Sequence, residues 1–70
     1  LDRVIGCTAR VTEEIDNEAG TGAVYVEGKT WTARSSDGTV LPIGTRVIAE
    51  RMEGVKLYVK PEPINSTRQR

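Results

Sequence analysis

Residues 23–34 read AVYVEGKTWTAR, and their pattern is the strongest indication of the fold in this chain. A compact β-prone run, AVYV (23–26), is followed by Glu27-Gly28 and then by a second extended run, KTWTAR (29–34). A two-residue loop that ends in glycine suits a β-hairpin, because glycine adopts positive φ at little cost. The stretch therefore predicts two antiparallel strands joined by a tight turn, with positive φ at Gly28.

Extended runs also lie on both sides of this hairpin. Before it, LDRVIGCTARV (1–11) alternates between small or apolar and polar residues in its second half, which predicts a half-buried strand. After it, TRVIAER (45–51) and VKLYV (55–59) flank a turn at Gly54, where positive φ is again expected. The last run alternates most cleanly, with Val55, Leu57 and Val59 on its inward face and Lys56, Tyr58 and Lys60 on its outward face.

The remaining segments predict connections. TEEIDNEAGTG (12–22) is acidic and contains two glycines, so we expect a loop there, with a short extended stretch at 13–15. Residues 39–41 are expected to be short and extended, and Pro42-Ile43-Gly44 to turn the chain. From Pro61 the sequence becomes PEPINSTRQR, which predicts a flexible polar tail over 61–70 and a single domain over 1–60.

Five strand-like runs with short turns predict an all-β protein, a small five-stranded barrel of the OB-fold type. An SH3-like barrel is the alternative, because strand count and loop lengths fit both. The chain contains one Trp, two Tyr and no Phe. We therefore expect an aliphatic core of Val, Ile and Leu built around Trp31.

Composition excludes several kinds of site. Ten basic and ten acidic residues give zero net charge, which argues against a general binder of nucleic acid. The absence of His removes Ser–His and Cys–His nucleophiles, and with one cysteine it also excludes zinc. Cys7 lies in a strand-like run and is interpreted as a core or half-buried thiol. No catalytic, metal-binding or cofactor-binding residue is therefore predicted, and the protein is not expected to be an enzyme.

Two local patterns have structural interpretations. The acidic residues between 13 and 18 could bind Ca²⁺, but they lack the ligand spacing of a calcium loop, so a solvated acidic loop is the preferred interpretation. Gly20-Thr21-Gly22 precedes a strand, whereas phosphate-binding loops precede a helix. This motif therefore predicts a structural turn.

Two longer segments, GTGAVYVEGKTWTAR (20–34) and LPIGTRVIAERMEGVKLYVKP (41–61), resemble the C-terminal soluble domain of the NfeD-like family. The family pattern is a Gly-x-Gly before a strand, a Gly-closed hairpin, a Trp-x-Ala strand, a Pro-x-Gly turn and two final strands joined by Glu-Gly. The residues that match its structural positions are Gly22, Gly28, Trp31, Gly44 and Gly54. The opening IGCTARVTEEI (5–15) is also similar, so the resemblance covers residues 4–61.

The resemblance implies an OB fold that is the soluble C-terminal part of a prokaryotic membrane protein, at the cytoplasmic face of the membrane. It also implies a partner, a membrane scaffold protein of the stomatin, prohibitin or flotillin type. Long members of the family add a serine protease domain of the ClpP type, to which nothing here corresponds. No run of about 18 apolar residues occurs, and the chain starts at Leu1 without Met, so we expect a membrane anchor in segments outside it.

The predicted partner-binding residues are Lys56, Tyr58 and Lys60, a tyrosine between two lysines on one strand face. Such a residue is a common interaction hot spot. The alternative function is binding of single-stranded nucleic acid, for which this strip supplies the stacking residue and the cations. That alternative otherwise depends on fold analogy, which is a weak basis for function.

Overall fold

The structure, a computed structural model, describes residues 4–63, which form five strands. These are β1 (Thr8–Asp16), β2 (Thr21–Val26), β3 (Lys29–Ser35), β4 (Arg46–Glu53) and β5 (Lys56–Pro61). They close into a barrel in the order β1-β2-β3-β5-β4, with β4 returning to β1. Only the β3–β5 pair is parallel among these described strands. This is the OB-fold arrangement, so the predicted fold is confirmed in preference to the SH3-like alternative.

The two tight turns follow from their glycines. Glu27 and Gly28 both have positive φ, 56° and 75°, as the primed turn of a two-residue hairpin requires. Gly54 has φ 63° and stands first in the turn Gly54-Val55, which joins the strand ends at Glu53 and Lys56. The two glycines therefore have the backbone geometry expected for them.

The first strand is longer than the sequence pattern predicted. Residues 12–16 belong to β1, and the turn before β2 covers only residues 17–20. Residues 21 and 22, also expected in the loop, belong to β2. The short extended stretch expected at 13–15 is confirmed, but the loop expected around it is wrong, because register shifts on either side of Glu13 interrupt the alternation that indicates a strand. Such bulges also bend the strand, which helps a five-stranded sheet to close. Residues 1–3 of the predicted first run lie outside the described residues.

The segment after β3 completes the closure between β1 and β4. Leu41 and Ile15 exchange two backbone hydrogen bonds of 2.9 and 3.0 Å. Further along, Val11 donates to the Thr45 carbonyl (2.9 Å) and accepts from the Gly44 amide (2.8 Å). The short extended run predicted at 39–41 therefore reaches β1 through Leu41, and it covers the part of β1 that β4 does not.

The core is aliphatic, as expected, but Trp31 is not its centre. The indole is only partly buried and packs against the core from β3, while its Nε1 donates to the Val26 carbonyl at 3.3 Å. Val55, predicted to face inward, is 80% exposed because it lies in the β4–β5 turn, where strand alternation no longer applies. The buried apolar residues are Val4, Ala9, Val11, Ile15, Val24, Val26, Ala33, Leu41, Val47, Ala49, Leu57 and Val59.

The predicted tail begins close to the end of the last strand. Strand β5 includes Pro61, and Glu62 still donates a backbone hydrogen bond to the Arg46 carbonyl at 2.9 Å. The rest of the predicted tail, residues 64–70, lies outside the described residues.

Candidate functional site: two outward tyrosines

The predicted strip on β5 faces outward. Leu57 and Val59 are fully buried, whereas Lys56 and Lys60 are exposed and Tyr58 is half-buried. Side chains alternate across a strand, so burial of Leu57 and Val59 places the other three residues on the outer face of the barrel. The strip defined by Lys56, Tyr58 and Lys60 is called the β5 strip below.

Two side chains of the β5 strip, Tyr58 and Lys60, contact side chains of strand β4. The Arg51 guanidinium lies over the Tyr58 ring, 4.5 Å from its centroid, and its Nε is 2.7 Å from Glu53 Oε2. The hydrogen bond to Glu53 raises the pKa of Arg51 above its ordinary value. Lys60 Nζ lies 3.3 Å from Glu50 Oε2. A partner would therefore meet a tyrosine that is already covered by Arg51 and a lysine, Lys60, that already has an acid beside it.

A second outward tyrosine lies on another part of the barrel. Tyr25 on β2 is directly opposite Arg10 on β1, and Arg10 is directly opposite Arg46 on β4. The Tyr25 residue is 51% exposed. An open groove of about 270 Å³ is found here, lined by Thr8, Ala9, Arg10, Tyr25 and Arg46. We call it the Tyr25 groove.

The two arginines of the Tyr25 groove differ in their partners. Arg46 Nε forms an ion pair with Glu62 Oε1 at 2.8 Å, and the Glu62 backbone N–H donates a hydrogen bond to the Arg46 carbonyl. Arg10 forms no ion pair within residues 4–63. The groove therefore combines an open aromatic ring, a paired guanidinium and a guanidinium with no acid from the described part of the chain.

The Tyr25 groove is not among the surfaces predicted from the sequence. Alternation predicts that Tyr25 faces outward between Val24 and Val26, and that Arg10 does so between Ala9 and Val11. Both signals are local, whereas the groove depends on the pairing of β1 with β2 and β4, which no single stretch of sequence reveals.

Trp31 offers a restricted surface for stacking. Its ring is partly buried, and Lys29 Nζ lies 4.7 Å from the ring centroid. A base or a partner side chain that stacks on this face would have to displace the lysine. The indole is therefore neither the centre of the core nor an open platform.

The reactive and acidic residues have structural contacts. Cys7 is half-buried, with its Sγ 3.7 Å from Glu27 Oε2. Asp16 Oδ1 accepts the backbone N–H groups of Glu18 and Ala19 at 3.0 and 3.2 Å, so this carboxylate stabilises the β1–β2 turn. Over the described range, no group of three or more potential metal ligands is found.

Comparison with known proteins identifies the family. Residues 1–61 match the model of the NfeD-like C-terminal, partner-binding domain. A similar solved structure is the C-terminal domain of a stomatin operon partner protein from Pyrococcus horikoshii, with 30% identity and a TM-score of 0.79 over 90% of this chain and 94% of that one. Another is the soluble domain of a membrane protein implicated in regulation of membrane protease activity from Corynebacterium glutamicum, with 30% identity and a TM-score of 0.77 over 86% of this chain and 94% of that one.

A search of curated proteins found no match. Within the part of the chain that the structure describes, no helix is long and apolar enough to cross a membrane. Because the family match covers nearly the whole chain and the structural likeness agrees with it, the protein belongs to the NfeD-like C-terminal, partner-binding domain family.

Proposed function

We propose that this domain is a non-catalytic protein-interaction module, the soluble C-terminal part of a membrane protein at the cytoplasmic face of the membrane. Its proposed partner is a membrane scaffold protein of the stomatin, prohibitin or flotillin type. The observation that carries the proposal is the match of residues 1–61 to a partner-binding domain. The likeness to the C-terminal domain of a stomatin operon partner protein supports the choice of partner class.

The architecture restricts how a partner could bind. Each of the five strands pairs on both sides, since β4 returns to β1 and closes the barrel. A closed barrel presents no long open strand edge, so recognition by strand addition is disfavoured. The proposal therefore places recognition in side chains on the outer faces of the strands. Lys56, Tyr58 and Lys60 stay a prediction for that contact.

The proposal is tested by co-purification. The membrane protein that carries this domain would be co-expressed with a stomatin-type scaffold protein from the same organism, with and without residues 1–61. We expect the scaffold to co-purify with the intact protein and to be lost when the domain is deleted. Replacing the domain with an unrelated small barrel is the matched control. Equal recovery of the scaffold with and without the domain would refute the proposal.

The same domain can be titrated with single-stranded oligonucleotides to test the alternative function. Zero net charge predicts weak binding, because affinity for nucleic acid depends largely on neutralising phosphates. Binding tighter than about micromolar that falls steeply with salt would instead favour nucleic acid as the ligand.

A further inference from the structure

Arg10 occupies an unfavourable position for a residue with only a structural role. It lies directly opposite Arg46 in the β1–β4 ladder, and like charges that face each other across a sheet are destabilising. Glu62 pairs with Arg46 at 2.8 Å, but among residues 4–63 no acid pairs with Arg10. Local features that oppose stability without a compensating contact are expected at functional sites.

The cross-strand neighbour of Arg10 on β2 has the properties of a recognition residue. Tyr25 is directly opposite Arg10 and half of it is exposed to solvent. A tyrosine offers a rigid apolar ring with a polar end, and such residues are enriched where proteins bind one another. The groove of about 270 Å³ between them is large enough for one or two side chains of an extended segment.

We infer that the Tyr25 groove binds a carboxylate side chain from an acidic, extended segment of the protein partner. This inference rests on the proposed function and names the surface and the chemistry of recognition. The Arg10 guanidinium would receive the carboxylate through its two-pronged donor geometry, which suits a carboxylate better than an ammonium does. Tyr25 would pack against the aliphatic part of the same segment, and Glu62 keeps Arg46 in place beside it.

The surroundings favour an acidic peptide over a nucleic acid. Glu62 already pairs with Arg46, which leaves Arg10 as the groove cation without an acid from residues 4–63. One carboxylate needs only that single guanidinium, whereas a nucleic-acid strand needs several cations for its successive phosphates. Binding of single strands also depends on several stacking aromatics along a basic channel. In this groove Tyr25 is the only aromatic lining residue within the described range.

The test uses two short acetylated peptides and the isotope-labelled 70-residue chain. One peptide alternates glutamate with leucine, and its matched control alternates glutamine with leucine. We expect the glutamate peptide to shift the amide signals of residues 8–10, Tyr25 and Arg46 in NMR titrations, and the glutamine peptide to shift them much less. Equal shifts with both peptides, or no shifts at the groove, would overturn the inference. Stronger binding of a short oligothymidylate at the same residues would overturn it in favour of nucleic acid.

Two matched variants compare the candidate surfaces directly. Arg10→Gln should weaken binding of the glutamate peptide about fivefold, the range of one exposed charge pair, while its melting temperature stays equal or rises because the repulsion with Arg46 is removed. Lys56→Gln removes the same charge from the β5 strip and should leave this binding unchanged. If Lys56→Gln weakens binding and Arg10→Gln does not, the β5 strip is the contact surface.

The scaffold co-purification separates this inference from the proposed function. If the scaffold is recovered with the unaltered membrane protein but lost with its Arg10→Gln variant, both are supported. Equal recovery with both forms refutes the role of the groove and leaves the proposed function standing. Failure of the unaltered protein to retain the scaffold refutes the proposed function itself, whatever the peptides show.

Discussion

Each of the two outward tyrosines, Tyr58 and Tyr25, has an arginine as a cross-strand neighbour, but only one of these arginines covers the tyrosine ring. Tyr58 in the β5 strip is half-buried, and the Arg51 guanidinium lies over its ring and forms an ion pair with Glu53. Tyr25 is 51% exposed, and its opposite neighbour, Arg10, has no acid from the described chain beside it. One aromatic surface is therefore covered by its own domain, and the other is open.

The difference shows that composition is a poor guide to a binding surface. In sequence, Lys56-Leu57-Tyr58-Val59-Lys60 is the more suggestive motif because its cations flank the tyrosine directly. In the folded chain, cross-strand neighbours determine whether a ring and a charge are available, and these neighbours are set by register. Substitutions can test that contrast, and the greatest change is expected from one in the core.

A substitution that unfolds the barrel should remove both surfaces together. Gly22 is buried on β2, has φ 141°, and a Cβ there would lie 2.5 Å from the Ala33 carbonyl oxygen and 2.9 Å from Ile15 Cγ1. We expect Gly22→Ala to lower the free energy of unfolding by roughly 2–5 kcal/mol, because overpacking and backbone strain add. That is comparable to the whole stability of so small a domain, roughly 3–5 kcal/mol. Urea unfolding followed by Trp31 fluorescence measures it.

Gly20→Ala is the matched control for this variant. Gly20 has φ 75°, but no heavy atom lies within 4 Å of a Cβ placed there. In Gly20→Ala the left-handed backbone is therefore the only expected source of destabilisation. It should lower the free energy of unfolding by about 1 kcal/mol. Equal urea midpoints for the two variants would show that the close approach of β2 to Ala33 does not limit stability.

The contrast between the tyrosines can be measured directly. Photochemically induced nuclear polarisation reports which tyrosine rings a dye can reach in solution. We expect a strong signal from Tyr25 and a weak one from Tyr58, because Arg51 covers the Tyr58 ring. Arg51→Ala should raise the Tyr58 signal and leave that of Tyr25 unchanged.

Lys56→Ala is the control, since it removes a neighbouring cation from the β5 strip while Arg51 still covers the ring. It should leave the Tyr58 signal low. Equal polarisation of both tyrosines in the unaltered protein would break the contrast between the two surfaces.

The smallest effect is expected at Asp37, which belongs to neither surface. Its carboxylate accepts hydrogen bonds from the Thr39 backbone N–H (2.9 Å) and the Ser35 hydroxyl (2.8 Å), and the bond from Thr39 is the main cause that lowers its pKa below the ordinary 3.8. A lowered pKa stabilises the folded state above the unfolded pKa, and this stabilisation is lost as pH falls through the folded pKa. Melting temperatures recorded from about pH 2 to about pH 7 would measure this stabilisation by ionised Asp37.

We expect Asp37→Asn to have a slightly lower melting temperature than the unaltered protein at neutral pH. The two melting temperatures should become equal at a pH low enough to protonate Asp37 in both the folded and the unfolded state. Both surfaces should keep their binding behaviour throughout. A gap in melting temperature that stays constant down to the lowest pH would show that ionisation of Asp37 does not contribute.

The predictions made from sequence succeeded where a feature is local. The hairpin turn at Glu27-Gly28 and the buried faces of Leu57 and Val59 follow from turn chemistry and strand alternation within a few residues. They failed where the chain departs from regular alternation. Because of the bulges around Glu13, the end of β1 was predicted as a loop with only a short extended stretch at 13–15. Val55 was predicted to face inward, but it lies in the Gly54-Val55 turn and is exposed.

The two candidate surfaces show the same division. Alternation correctly placed Lys56, Tyr58 and Lys60 on an outer face, because it requires only neighbours along one strand. It could not predict that Arg51 covers Tyr58, nor that Arg10 and Arg46 meet beside Tyr25. Those contacts depend on the bulge after Ala49 and on the pairing of β1 with β4.

An aliphatic five-stranded barrel without histidine, and its family, could be predicted from the sequence, because strand alternation, turn glycines and residue types are properties of short segments. The position of Trp31 at the edge of the core, and the covering of Tyr58 but not of Tyr25, depend on how the strands assemble. The physical reason is that exposure and charge pairing arise between strands distant in sequence, where a shift of one residue in register exchanges the inner and outer faces.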